Sequence, residues 1–287
     1  MNTKLTSAIF VGALSVFGAS AASAVTVQNI NWDPNAVNGN PGQPADDFVG
    51  KTTYTQWFQT ASAENTFSPR LTIDLVNLGA LAGSSLTGTG IFAEFNGINS
   101  IVGDPSPDTN PADFATNVQL TYGFGGIVVN SVDLTNPAVP VFNLDLSSAW
   151  VNIYSDAALN YGNTLPETVD AVDTTYSEPF LKLKIDTLTL NTIVAGSNLF
   201  GSVDAYFSVI GGAAASYFDT DNQTNTNGGV SDLFYTSSSQ FKNKDDFTTG
   251  TAELTGDTRT VPEPSSLALL GLGMMGFSKF SRRKFAA

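Results

Sequence analysis

The side chains that could do chemistry in this chain are carboxylates, amides and hydroxyls, because the sequence contains no histidine and no cysteine. Without those two residue types, histidine-based catalytic triads, thiol nucleophiles and ordinary zinc sites are excluded. The remaining side chains favour two kinds of site. One is an oxygen-ligand site for a hard cation such as calcium, and the other is a pair of acidic residues that cleaves glycosidic bonds.

The stretch with the most oxygen ligands covers residues 219–229. Four of its residues have the alternate spacing of a calcium-binding loop: Asp219, Asp221, Gln223 and Asn225. The stretch departs from an EF-hand, because Thr224 stands at the sixth position instead of glycine and Val230 at the twelfth instead of glutamate. Two interpretations therefore stay open. We favour a polar hairpin loop that turns at Asn227 and Gly228, and the alternative is a calcium site.

Acidic pairs elsewhere have the residue types of a glycoside hydrolase: Asp46 with Asp47, Asp170 with Asp173, and Asp245 with Asp246. That chemistry needs two carboxylates that converge in one cleft, which sequence spacing does not establish. In so acidic a chain, carboxylates in loops are mostly solvated charge. We therefore predict no catalytic residues and no enzymatic activity.

Aromatic residues close to polar segments are candidates for stacking on sugar rings: Trp57, Trp150, Tyr154 and Tyr161. Core packing is the role that we favour for them, since the fold needs large apolar side chains. Stacking on a polysaccharide remains the alternative.

The 287-residue chain carries a net charge of −14. Its basic residues are partly concentrated at the two ends, so the region between them is more acidic than the whole. Such a region repels phosphate backbones and anionic membrane surfaces, which argues against nucleic-acid binding. We expect this region to be soluble and to attract cations.

Short strands are the elements expected to position these side chains. Predicted strands lie at residues 25–27, 52–59, 67–75, 90–96, 117–124, 126–134, 141–146, 149–154, 180–190, 201–211, 231–237 and 248–255. The stretches 79–90, 103–113 and 155–177 are predicted loops. Alternation is clearest in residues 180–190 and slips by one at Asp186, which predicts a β-bulge. The pattern predicts an all-β fold, a β-sandwich or a jelly roll.

The N-terminal 24 residues have the pattern of a secretory signal peptide. Lys4 precedes an apolar segment at residues 5–17, and Ala22 and Ala24 form a small-x-small cleavage site. We predict a signal helix that is removed after Ala24. Since the exported chain has no cysteine, no disulfide supports its fold.

The C-terminal segment, residues 261–287, has three parts. The triplet Pro262, Glu263 and Pro264 favours an extended backbone, residues 267–277 are apolar, and a basic tail follows with Arg282, Arg283 and Lys284. The apolar part is shorter than an ordinary membrane span, so we expect a marginal transmembrane helix and temporary insertion with the basic end in the cytoplasm. The predicted organisation is a signal peptide (1–24), a β-sandwich body (25–255), a spacer (256–260) and this terminal segment.

These C-terminal features resemble the PEP-CTERM sorting signal of exopolysaccharide-producing bacteria. The resemblance implies export by the secretion machinery, cleavage by an exosortase (a membrane cysteine peptidase) and release at the surface of a Gram-negative cell. A weaker resemblance links residues 149–156, 201–220 and 231–235 to the flocculation-associated PEP-CTERM proteins. The early Tyr-x-Glu that is associated with that group is absent, since Gln56 follows Tyr54 and Thr55.

The function that we expect is a structural or adhesive role in an exopolysaccharide matrix, in biofilm or floc formation. The alternative is a carbohydrate-binding module that uses aromatic residues or calcium. A polysaccharide-modifying enzyme is a third, less favoured class. We expect no cofactor, and calcium is the alternative.

Overall fold

The computed structural model describes residues 25–32, 48–60, 70–95, 114–162 and 176–259, and most of these residues lie in β-strands. The strands are β1 (Val25–Val27), β2 (Ile30–Trp32), β3 (Phe48–Thr60), β4 (Ser84–Glu94), β5 (Gln119–Asp133), β6 (Val141–Asp145), β7 (Trp150–Asp156), β8 (Leu181–Ala195), β9 (Asn198–Gly211), β10 (Gln223–Thr224), β11 (Val230–Ser231), β12 (Leu233–Lys242) and β13 (Thr248–Gly256). The helical segments that lie wholly within these ranges are a 3₁₀ turn (Leu78–Leu81) and α1 (Ala215–Phe218). The all-β prediction is confirmed.

The main sheet closes on itself, so the predicted sandwich or jelly roll of two packed sheets is wrong. The strand order is β4-β3-β13-β12-β9-β8-β7-β5-β6, and β4 also pairs with β5. That extra pairing joins the first and eighth strands into a closed, barrel-like sheet, and β6 continues beside the second half of β5. Closure removes the exposed edges that two separate sheets would have to protect.

Three strand predictions differ from the structure. Residues 84–89, predicted as loop, belong to β4, and residues 117–124 and 126–134, predicted as two strands, lie mostly in the continuous strand β5. Among residues 70–77, only Arg70 forms an isolated bridge, with Gln59, although the sequence there alternates like a strand. Leu71, Ile73 and Leu75 instead pack into one end of the closed sheet.

The predicted bulge in the strand with the clearest alternation is confirmed. The pairing of β8 with β9 shifts between Ile185 and Thr187, so Asp186 is the extra residue. The shift keeps Ile185 and Leu188 inside the sheet on either side of the bulge. The predicted polar turn is also present, since the N–H of Gly228 donates to the carbonyl of Asn225 at 2.9 Å between β10 and β11.

Aromatic residues fill one end of the closed sheet. The ring of Trp32, in the β1–β2 hairpin, lies 5.3 Å from the rings of Tyr217 and Phe218 and 5.8 Å from that of Phe180. All but Tyr217 are almost completely buried. This packing attaches the N-terminal hairpin and α1 to the same end of the sheet.

A second apolar cluster fills the opposite end. The 3₁₀ turn contributes Leu78 and Leu81, which join Phe58, Ile73 and Phe241 in this cluster. The middle layer of the sheet is therefore enclosed between two packed ends. The predicted signal helix (1–24) and the C-terminal transmembrane helix lie outside the described residues.

Candidate functional site

The acidic loop that follows α1 brings together three carboxylates. Oxygen atoms of Asp219, Asp221 and Asp232 lie within 4.8 Å of one another. Asp219 and Asp221 were selected from the sequence, whereas Asp232 was missed because it lies eleven residues beyond Asp221, just before β12. In the sequence, Asp232 is marked only by its position directly before the apolar residues that begin β12.

Asp232 is almost completely buried and organises the loop by accepting backbone hydrogen bonds. Oδ1 accepts the N–H of Thr220 at 2.6 Å and that of Asp221 at 2.7 Å, and Oδ2 accepts the N–H of Val209 at 2.6 Å. These charge-assisted bonds satisfy both carboxylate oxygens. They also hold Asp221 at a φ of 56°, a left-handed conformation that aspartate tolerates better than most residues.

The other two predicted ligands are placed differently. The Oδ1 atom of Asn225 accepts the N–H groups of Asn227 at 3.1 Å and Gly229 at 3.0 Å, so it stabilises the turn of the hairpin. Its Nδ2 donates to the hydroxyl of Ser231 at 3.2 Å. Gln223 pairs with Ser231 in the β10–β11 ladder. The structure therefore groups Asp219 and Asp221 with Asp232, and Asn225 with the turn.

The three grouped carboxylates supply only some of the oxygen ligands that a calcium ion needs. Calcium takes six to eight oxygen ligands, whereas Asp219 and Asp221 supply at most four carboxylate oxygens, because both oxygens of Asp232 already accept backbone N–H groups. A cation also meets competition, because the guanidinium of Arg259 lies 3.7 Å from the carboxylate of Asp219. The loop has the right ligand type, and its described geometry suits a structural role.

The aromatic candidates separate by accessibility. Trp57 and Tyr154 are 1% and 5% exposed, so they cannot stack on a polysaccharide in this conformation. Trp150 and Tyr161 are half-buried, and the hydroxyl of Tyr161 donates to the carbonyl of Thr89 at 2.9 Å. Core packing, the role that we favoured, describes Trp57 and Tyr154.

Another half-buried aromatic residue, which sequence reasoning missed, is Phe247. It lines a surface cavity of about 400 Å³ with Gln240, Asp245 and Asp246. The guanidinium of Arg70 lies 5.9 Å from the centre of the Phe247 ring and contacts Asp246 at 2.9 Å. Asp245 and Asp246 are thus adjacent to an aromatic ring, and Asp246 is held in an ion pair. The pairs Asp46–Asp47 and Asp170–Asp173 lie outside the described residues.

Apolar side chains are also exposed on the outside of the sheet. Ile193 and Phe200 are cross-strand neighbours on β8 and β9, and they are 55% and 40% exposed. The N–H of Val194 donates to the carbonyl of Ala138 at 2.8 Å, which places exposed Val139 beside them. The hydroxyl of Thr192 donates to the carbonyl of Pro140, which brings exposed Val141 to the same region. We call Ile193, Phe200, Val139 and Val141 the apolar surface patch.

The predicted sorting residues, from Pro262 to Lys284, and the signal cleavage residues Ala22 and Ala24 lie outside the described residues. The described chain ends close to them, at Arg259, whose N–H donates to the carbonyl of Tyr217 and whose Nε donates to that of Ser216, both at 2.8 Å. In the described ranges, helices fall short of the length and apolar character that crossing a bilayer requires.

Comparison with known proteins gives one match. Residues 260–284 match the family described as the PEP-CTERM protein-sorting motif. No curated protein and no solved structure shows significant similarity to the chain. The match covers the Pro-Glu-Pro triplet, the apolar segment and the basic tail that the sequence analysis selected.

Proposed function

Since the chain carries a PEP-CTERM sorting motif, which marks an exported substrate of an exosortase directed to the cell surface, we propose that it is a structural or adhesive protein of an extracellular polysaccharide matrix. The role is non-catalytic and follows export and removal of the tag. It takes place outside a Gram-negative cell, in biofilm or floc formation.

The observation that supports adhesion is the apolar surface patch. Exposed apolar groups that lie next to one another on a chain with a net charge of −14 favour contact with a partner surface over contact with water. One patch of four exposed apolar residues binds weakly by itself. Many copies in one matrix bind together with far greater strength, because each attached copy raises the effective concentration of the next.

Substitution of the patch tests this role. Ile193→Ser with Phe200→Ser should reduce the amount of protein retained by the producer's polysaccharide and weaken its flocs. Ser202→Ala with Asp204→Asn, on the same outer face of β9, is the matched control and should leave both unchanged. Normal retention and flocs with the patch variant, at equal protein level, would remove the support for adhesion.

A carbohydrate-binding module is the second candidate, and the cavity beside Phe247 favours it. A cavity of about 400 Å³ falls in the usual range for small ligands, and an aromatic ring with amide and carboxylate groups suits a sugar. Phe247→Ala should then lower affinity for one defined oligosaccharide, whereas adhesion through the apolar surface patch should survive that change.

Mass spectrometry of the exported protein tests processing separately. We expect a mature C-terminus close to Pro262, with residues 267–287 removed, and full-length precursor when Pro262, Glu263 and Pro264 are all replaced by alanine. Glu178→Ala, an exposed acidic residue in the body, is the control and should be processed normally. An extracellular form that retains residues 267–287 contradicts exosortase processing.

A further inference from the structure

A cavity lies in the middle layer of the closed sheet, between its two packed ends. Its volume is about 70 Å³, and its walls come from β3, β4, β5, β7, β8, β9, β12 and β13. The interior of an eight-stranded closed sheet is just wide enough for side chains to fill it or for one small ligand to bind. This interior is incompletely filled.

Close packing of two rings against glycines explains why space remains. A Cβ atom at Gly90 would lie 2.2 Å from the ring of Tyr122, and one at Gly88 would lie 2.5 Å from the ring of Phe124. These rings therefore lie against the backbone of β4 instead of projecting across the interior. On the opposite wall, β9 presents the small side chains of Val203 and Ala205.

Most of the side chains that line the cavity are apolar. The polar ones are Gln56, Thr52, Tyr122, Tyr235 and Ser237. The Nε2 of Gln56 donates to the hydroxyl of Ser239, and the hydroxyls of Tyr122 and Thr52 lie 3.0 Å apart at a polar corner. Burial raises the pKa of Tyr122 and of Tyr235, so both hydroxyls stay neutral and protonated at physiological pH. A neutral tyrosine hydroxyl both donates and accepts hydrogen bonds, so these side chains can form a hydrogen bond with a hydroxyl or a carbonyl group of a ligand.

The pairing between β7 and β8 offers a route into the interior. β7 pairs with β8 only from Val151 to Ile153, whereas β8 pairs with β9 along nearly its whole length. From Lys184 onwards, no described strand pairs with the edge of β8 that faces β7. Leu146 and Ala149, in the loop between β6 and β7, are partly buried and pack against the core. A small movement of the β6–β7 loop could therefore open the interior while breaking few backbone hydrogen bonds.

We propose that this cavity is a binding site for a small amphiphilic group, aliphatic or aromatic, with a hydroxyl or carbonyl directed at Tyr122 and Tyr235. The volume corresponds to about five non-hydrogen atoms, on the scale at which one water needs about 10–15 Å³. The ligand is uncharged, because no charged side chain lines the cavity. This site is independent of the matrix role.

Binding of 1-butanol, a molecule of this size, tests the proposal. The exported protein, labelled at leucine and valine methyl groups, is titrated while methyl shifts of Leu188 and Val203 are followed by NMR. We expect saturable shifts at roughly millimolar concentrations, as for other very small ligands. Shifts that increase linearly without saturation would be a general solvent effect and would overturn the proposal.

Three variants make the test specific. Ala205→Leu fills the cavity and should abolish the saturable shifts, and Val203→Leu serves the same purpose if the first variant fails to fold. Tyr235→Phe removes one polar group and should weaken butanol binding about fivefold to tenfold, while xenon, which needs no hydrogen bond, should bind as before. Asp204→Asn, which points outward beside Ala205, is the control.

Saturable binding that persists in the cavity-filling variants would place the ligand elsewhere and contradict the proposal. If Tyr235→Phe lowered the affinities for butanol and xenon equally, the hydroxyl would act only through the shape of the cavity. That result would overturn the assigned role of the polar corner.

Discussion

The carboxylate of Asp232 accepts the backbone N–H of Thr220 at 2.6 Å, and this contact ties the acidic loop to the start of β12. The same carboxylate also holds the N–H groups of Asp221 and Val209. One buried carboxylate thus accepts three backbone N–H groups that would otherwise need carbonyl acceptors. The loop keeps its shape without a ladder of its own beyond the two-residue strands β10 and β11.

Replacing Asp232 should therefore destabilise the protein strongly. Asp232→Ala leaves three amides without their acceptor, and we expect the free energy of unfolding to fall by about 2–4 kcal/mol. Urea denaturation measures the change. The matched control is Asp221→Asn, at an exposed position in the same loop, which removes a charge but keeps a residue that tolerates the positive φ, and it should cost much less. A similar loss in the two variants would mean that the buried carboxylate is not what organises the loop.

Gly90 should not tolerate a side chain. Gly90→Ala places a methyl group against the ring of Tyr122, so we expect a loss of about 1–3 kcal/mol in the free energy of unfolding. Gly201→Ala is the control, because the nearest atom to its Cβ would be a Leu190 methyl at an ordinary 3.8 Å. Thermal or urea unfolding of the two variants gives the comparison. Equal stability of Gly90→Ala and the wild type would contradict the packing of Tyr122 on β4.

Stability should fall at alkaline pH because three tyrosines of the main core, two of them buried and Tyr235 partly buried, must stay protonated. Burial raises the pKa of Tyr54, Tyr122 and Tyr235 in the folded protein above the value of about 10 expected for the unfolded chain. Their contribution is therefore complete below about pH 10 and is lost as the pH rises through the folded pKa values. Each tyrosine adds a slope of up to about 1.4 kcal/mol per pH unit in that window.

Denaturation at a series of pH values from neutral to alkaline measures this slope, and tyrosinate absorbance reports the ionisation. Tyr122→Phe with Tyr235→Phe should make the decline shallower than in the wild type. An unchanged slope in the double variant would assign the alkaline sensitivity to other groups.

At acid pH, Asp74 makes an opposite contribution. Hydrogen bonds from Lys244 and from the N–H of Val76 lower the pKa of Asp74, so its stabilising effect is present above about pH 4 and is lost as the pH falls through the folded pKa. Asp74→Asn should reduce stability at neutral pH slightly and leave it unchanged at strongly acid pH. A loss of the same size at both pH values would contradict this assignment.

Calcium should leave the melting temperature unchanged. The carboxylates of Asp219 and Asp221 supply at most four oxygens, because both oxygens of Asp232 already accept backbone N–H groups, and the amide oxygen of Asn225 is engaged in the turn. Scanning calorimetry in calcium and in chelator measures the difference. A rise in calcium that disappears in Asp219→Ala with Asp221→Ala would establish the calcium alternative instead.

Much of the local structure follows from the sequence alone. The slip of alternation at Asp186 predicts the bulge, because one extra residue reverses which side chains face inward. The turn at Gly228 follows from residues that accept a positive φ, and the sorting motif follows from contiguous residues at the C-terminus. Each of these features depends on residues within a few positions of one another, so the linear pattern contains the information.

Only the tertiary structure decided how the strands are arranged. Gly88 and Gly90 made the first half of β4 look like a loop, because glycine disfavours strands in isolation, yet they are the positions on which the rings of Phe124 and Tyr122 pack. The pairing of β4 with β5 closes the sheet, and Asp232 joins Asp219 and Asp221 through contacts eleven or more residues apart. Alternation shows that a strand has a buried face but does not name its partner, which is why closure, the cavity and the acidic cluster required the three-dimensional structure.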